Sequence, residues 1–177
     1  MFLAIIPKLA RPMLDEAHPS IRDRLESFGL EIPPAQVAPP DVTLTYRRLV
    51  RQGDTVWISG HGPTHGEGWG SKLGKIGRDL TVEEGVAAAR LTALNVLGTI
   101  ERDLGPLDDV ACWLKVTGYV NAVDGFTEQA RVINGFSDLL LALYGSEKLA
   151  ARSSVGVADL PFAMPVEVDA VLAWGGA

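Results

Sequence analysis

The run Asp109–Val120, "DVACWLKVTGYV", constrains this chain most, because it alternates like a strand and has a helix-patterned run on either side. Upstream, "TVEEGVAAARLTALNVLGTIERDLG" opens with the capping-box spacing Thr81–Glu84. Its stripe is Val82, Val86, Ala89, Ala93, Val96 and Ile100. Downstream, "FTEQARVINGFSDLLLALYG" reads as a second helix stopped by Gly145. Two strand-like runs precede this block, "VTLTYRRLV" and "TVWIS", with a tight turn at Gln52-Gly53-Asp54. Two more follow it, "SSVGVA" and "VEVDAVLAW". Strand, strand, helix, strand, helix, strand, strand predicts an α+β two-layer sandwich, with both long helices on one face of a mixed sheet, taken as six-stranded.

The 177 residues suffice for one domain with a core. We assign 42–177 to that domain. Residues 1–41 read as an N-terminal extension, in which Ser20 caps a short helix ended at Gly29 and "EIPPAQVAPPD" forms a proline-rich linker. The opening "MFLAIIPKLARP" has no basic segment before its apolar run, and Pro7 and Pro12 interrupt a continuous helix. No apolar run approaches the ~20 residues that span a bilayer, so no membrane partner is expected. A formal charge of −6 argues against nucleic acid as partner. The single cysteine, Cys112, permits no internal disulfide, which suits a reducing, cytoplasmic compartment.

Two helices cannot cover both faces of such a sheet. By parity Val110, Cys112, Leu114, Val116, Gly118 and Val120 should face the helices, leaving Trp113, Lys115, Thr117 and Tyr119 uncovered. Ser153, Val155 and Val157 go with the helix side. If the last two strands pair as a hairpin, Arg152, Ser154, Glu167 and Asp169 share the open face. Such a face is expected to pack in an oligomer, with the charges at a pocket in the seam. The pattern leaves two readings open: a structural ion pair Arg152–Glu167, or an arginine that forks onto a carboxylate ligand beside a carboxylate that holds water.

Other candidates read blandly. Residues 60–77, with seven glycines, should be a loop. His61 and His65 there, with Glu67, are expected to be solvated or cleft-lining rather than metal ligands. "GWGSKLGK" lacks the order of a phosphate-binding loop, no nucleophile elbow surrounds Ser59, and Cys112 should be inert core.

"ARSSVGVADLP…VEVDA" resembles the C-terminal signature of the Rid (reactive intermediate deaminase, YjgF-type) family, roughly A-R-S-x-V-x-V-x-x-L-P…[IV]-E-[IV]-E-A. "GDTVWISG" is similar to the family's early strand, and "DLTVEEGVAAARLTALNVL" to its first long helix. The resemblance covers about residues 42–174. It implies a chorismate-mutase-like fold, a homotrimer with clefts between subunits, and hydrolysis of imine or enamine acids such as 2-iminopropanoate to 2-keto acids and ammonia, without metal or cofactor. It implies that Arg152 binds the carboxylate of a small-molecule substrate, and that Glu167 holds the attacking water. Tyr46 falls on the site tyrosine. Ser59, Gly60, Asn134 and the backbone of Ser154 fall on residues that line the cleft. Three departures mark a divergent branch: Ser154 for the usual cysteine, His61 for the usual glutamine, and the long glycine-rich loop. The alternative expectation is a trimer that binds small carboxylates without turnover, with a sensing or chaperone-like role.

Overall fold

The computed structural model describes residues 19–35, 45–66 and 68–176. The opening apolar run, linker residues 36–41, the start of the first expected strand at 42–44, and Glu67 lie outside the described residues.

The first helix, α1 (Ile21–Ser27), is short and depends on its ends. The Ser20 hydroxyl accepts from the Asp23 N–H, and the Asp23 carboxylate accepts from the Ser20 N–H, a box worth about 1 kcal/mol. Ile21 and Leu25 are buried, and Arg24 Nη1 donates to the Leu143 carbonyl at 2.6 Å. The helix of the extension thus lies on the body of the fold.

The long helices are α2 (Val82–Asp103) and α3 (Gln129–Tyr144). Ala89, Ala93, Val96 and Ile100 of the expected stripe are fully buried, while Val82 and Val86 are half-buried. The two helices touch where Gly135 meets Val86. A Cβ at 135 would stand 2.0 Å from the Val86 carbonyl oxygen, which is backbone and cannot swing aside. Gly135→Ala therefore destabilises. The clash outweighs the ~1 kcal/mol that alanine gains in helix propensity, and a net loss of about 2 kcal/mol is expected in urea unfolding.

The main sheet has the order β1 (Leu49–Gln52), β2 (Thr55–His61), β7 (Val166–Trp174), β5 (Val110–Asn121), β6 (Ala151–Val157). All neighbours are antiparallel except β5 and β6, which α3 joins as a parallel crossover. The sandwich is as expected: α2 packs on β7 and β2, α3 on β5 and β6, and both lie on one face. The sheet holds five strands where six were expected, because the sequence supplies five long extended runs. The described residues of 61–77 are more ordered than a plain loop. They include a ribbon, β3 (Thr64–His65) with β4 (Gly68–Trp69), held on α2 by Asn95 Nδ2, which donates to the carbonyls of Gly62 and Thr64 at 3.0 and 2.9 Å.

Two parity expectations fail, for different reasons. In β5 the pairing with β7 slips between Val110 and Cys112 and again between Trp113 and Lys115. These irregularities turn Trp113 inward, where it is 1% exposed against Phe136 and Tyr144. Cys112, aligned with Ala173, goes to the uncovered face rather than to the core. In β6 the error lies in the partner. β6 pairs with β5, not with β7, and aligns Arg152 with Val116 and Ser154 with Gly118. Arg152 and Ser154 therefore face the helices, and Val155 is 41% exposed on the other side.

Candidate functional site

The residues singled out by sequence fall into two clusters on opposite faces of the sheet. The first sits under α3 at the outer edge. Arg152 reaches from β6 to the helix, where Nη1 donates to Asn134 Oδ1 and Ser137 Oγ at 2.9 Å each and Nη2 donates to the Ala130 carbonyl at 3.3 Å. All three acceptors are uncharged. No carboxylate pairs with Arg152 among the described residues. A guanidinium has five N–H groups, so Nε–H and one Nη2–H remain without a protein partner there. Ser154 stands two residues along the same side of β6, its Oγ buried and unpartnered. Asn134 thus contacts the arginine directly. Ser137 was missed, yet the signal was present: 130, 134 and 137 share one helix face.

The second cluster lies on the uncovered face, at the junction of β2 and β7. The pairing slips between Ile58 and His61, and this bulge brings Gly60 onto Glu167. A Cβ on Gly60 would fall 1.9 Å from Glu167 Oε1, so only glycine lets that carboxyl lie where it does. Ser59 Oγ donates to the Arg47 carbonyl at 2.7 Å, which ties the segment carrying the exposed Tyr46 to the same strand end. Burial, and then the charge of Asp169, push the Glu167 carboxyl above the usual range. Asp169, unassigned by sequence, accepts from the Tyr119 hydroxyl at 2.6 Å. That bond, with burial and the nearby carboxylates, pushes the Tyr119 phenol up to about 12.

Glu167 and Arg152 thus do not meet within one chain. Glu167 aligns with Tyr119 on the uncovered face, whereas Arg152 aligns with Val116 on the helix face, with β5 between their strands. Of the two readings the pattern left open, the ion pair between them is not formed within one chain, and the reason is strand order.

His61 belongs to neither cluster. It is 6% exposed, not solvated, with its ring between the Ser59 carbonyl (Nδ1, 2.6 Å) and Thr99 Oγ1 (Nε2, 2.8 Å). The neutral ring satisfies both contacts if Nδ1–H donates and Nε2 accepts. Burial holds its pKa down at about 4, and the Arg48 and Arg102 charges add to this. The unfolded chain therefore binds this proton first as pH falls. The stabilisation is complete above about pH 6.5 and is lost towards pH 4, by about 3 kcal/mol in all. Urea unfolding between pH 7 and 4.5 should show a smaller loss in His61→Gln than in the native sequence.

Among the described residues, no helix is long and apolar enough to cross a membrane, and no cluster of three or more metal-ligating side chains is present. The family described as "YjgF/chorismate_mutase-like, putative endoribonuclease" matches residues 22–170, so the match includes most of α1 and begins upstream of the 42–174 resemblance. Protein TCP17 of Trypanosoma cruzi is 42% identical over 149 residues, covering 84% of this chain and 90% of that protein. The structure of Atu1372 from Agrobacterium tumefaciens, described as of unknown function, superimposes with a TM-score of 0.78 at 32% identity, over 89% of this chain and 93% of that one. A "putative endoribonuclease" from Shewanella oneidensis gives 0.79 at 26% identity, over 88% of this chain and 99% of that one. A match across most of the sequence, joined to the same sheet and helix layout, means that this chain belongs to the YjgF/chorismate-mutase-like family.

Proposed function

We propose that the protein hydrolyses reactive 2-imino acids, of the 2-iminopropanoate type, and their enamine tautomers to 2-keto acids and ammonium. The observation that carries this reading is Arg152: a charged group held by three neutral acceptors, with two N–H groups left to receive an anion. A carboxylate on that fork fixes the imino acid and turns a bimolecular attack into a positioned one. Glu167 orients a water and takes one of its protons, and its raised pKa makes it a better base than an ordinary carboxylate. The water oxygen bonds to the iminium carbon. Proton transfer to nitrogen then lets the C–N bond break, releasing ammonium and leaving C=O. The iminium carbon is already electrophilic, so positioned protein groups and water suffice.

Arg152 and Glu167 lie on opposite faces of one sheet, so the complete site needs two copies. Support for assembly comes from the uncovered face, where Val50, Trp57 and Val155 are 45%, 47% and 41% exposed. A homotrimer would close such a heterologous contact into a ring with three equivalent clefts. Tyr46, Ser59, Gly60 and Glu167 would come from one protomer; Arg152, Asn134 and Ser154 from the next.

The test is ammonia release from a panel of imino acids generated in situ by an amino-acid oxidase, together with mass measurement by light scattering. Turnover by a trimer supports the reading. Tight binding of 2-ketobutyrate with no turnover of any imine would overturn it in favour of a carboxylate-binding role. Ribonuclease activity, which descriptions of relatives mention, finds little support in a formal charge of −6.

A further inference from the structure

The turn that leads into β7 holds two non-glycine residues in the left-handed region, Phe162 (φ 56°) and Ala163 (φ 57°). They are the only non-glycine residues of positive φ among those described. That conformation costs L-residues energy, and here the surroundings fix it: the Gly74 N–H donates to the Ala163 carbonyl at 2.7 Å, and the Met164 N–H to the Pro161 carbonyl at 3.1 Å. The turn buries Met164 but leaves Phe162 outside. Phe162 is 59% exposed, and its ring lies 5.6 Å from that of Trp69 in β4. An exposed phenylalanine on a strained turn, packed on a half-buried tryptophan, asks for a reason in what it touches.

Its position supplies one. Gly60 and Gly62 stand two residues apart along β2 and the residue just past it, so their Cβ directions point to the same side. A Cβ on Gly60 would strike Glu167 Oε1; a Cβ on Gly62 would lie 2.5 Å from Met164 Sδ and 3.6 Å from the Trp69 ring. His61 between them points the other way, into the α2 layer. The Glu167 carboxyl and the Trp69 ring therefore lie on the same side of this segment, above positions about 7 Å apart by strand rise, with Met164 Sδ covering Gly62.

We propose that Trp69 and Phe162, whose rings pack on each other, form an aromatic clamp that holds the side chain of the imino acid against the exposed face of Phe162, so that the preferred substrates carry a large apolar or aromatic group. This rests on the deaminase reading. Carboxylate on Arg152, reacting carbon at Glu167 and side chain against the open face of Phe162 are three points of one extended molecule. The glycine-rich loop thereby gains a purpose, since it carries Trp69 to the clamp.

The test compares kcat/KM for the imines formed in situ from phenylalanine and from alanine, with calorimetric binding of phenylpyruvate and pyruvate as a second readout. The native protein should favour the aromatic imine by about tenfold or more. Phe162→Gly removes the ring and the backbone strain together, and Trp69→Leu removes the facing ring. Each should cost the aromatic imine about tenfold, leave the alanine-derived imine within about twofold, and weaken phenylpyruvate but not pyruvate. Phe162→Gly should also unfold no earlier than the native protein. Turnover of both imines with the same change in each variant would overturn the clamp and leave the deaminase reading intact. No turnover of any imine, with phenylpyruvate binding still weakened by Phe162→Gly, would overturn the deaminase reading and keep the clamp as a ligand site. No turnover and no selective binding would overturn both.

Discussion

Arg152→Ala lowers kcat/KM for 2-iminopropanoate by about a thousandfold while leaving the urea midpoint nearly unchanged. The magnitude follows from the two N–H groups that stay free after Asn134, Ser137 and Ala130 are served. Two charge-assisted hydrogen bonds to a carboxylate are worth about 4 kcal/mol together, and each 1.4 kcal/mol is a factor of ten. The small effect on stability follows from the place. Arg152 sits half-buried on an edge strand, and its partners on α3 include exposed Asn134, which water can serve after the change. Arg152→Lys recovers about tenfold at most, because an ammonium keeps the charge but cannot span α3 and the ligand with a planar fork. A steady-state series over imine concentration checks this, with circular dichroism to verify the fold. An Arg152→Ala protein as fast as the native one removes the carboxylate anchor and with it the proposed reaction.

The fold was legible where local pattern decides structure. The capping box at Thr81 and Glu84, the alanine stripe of α2 and the alternation of β7 all give elements whose type and buried side the structure repeats. The site was legible as a set of residues and illegible as an arrangement. Which strand lies beside β6 is a non-local fact, and a hairpin with β7 is as good locally as the parallel pairing with β5 that α3 enforces. That choice moved Arg152 and Ser154 to the helix side. The slips in β5 are a second non-local fact: a two-residue period carries no sign of where an irregularity resets it, so Trp113 and Cys112 exchanged sides. Valine at 155 misled for a third reason. Apolar character says that a residue leaves water, not whether its own helices or another copy of the chain should cover it. The same holds for His61, whose glycine-rich neighbours suggested solvent although the strand had not yet ended.

Mixing two inactive proteins restores activity. On the proposed reading Arg152→Ala lacks the anchor and Glu167→Gln lacks the base, yet each retains the half-site that the other has lost. Within one chain the two residues cannot cooperate, because the sheet separates them: Glu167 looks out beside Tyr119 while Arg152 looks into the α3 layer beside Val116. In the proposed ring of three, each cleft would join the helix-side edge of one protomer to the uncovered face of the next. A cleft is then intact whenever a Glu167→Gln chain contributes the arginine and an Arg152→Ala chain contributes the glutamate. Random assortment of equal amounts leaves about one cleft in four in that state. The parent proteins, unfolded together in urea and refolded, should therefore regain about a quarter of the native rate, against less than about one per cent for either refolded alone. The double variant Arg152→Ala/Glu167→Gln refolded with native chains provides the complementary check, since its doubly defective chains spoil clefts on both sides. Were both residues to act from a single chain, no mixture of the two single variants would exceed its parents, and the two-copy site would be disproved even if each variant alone were inactive.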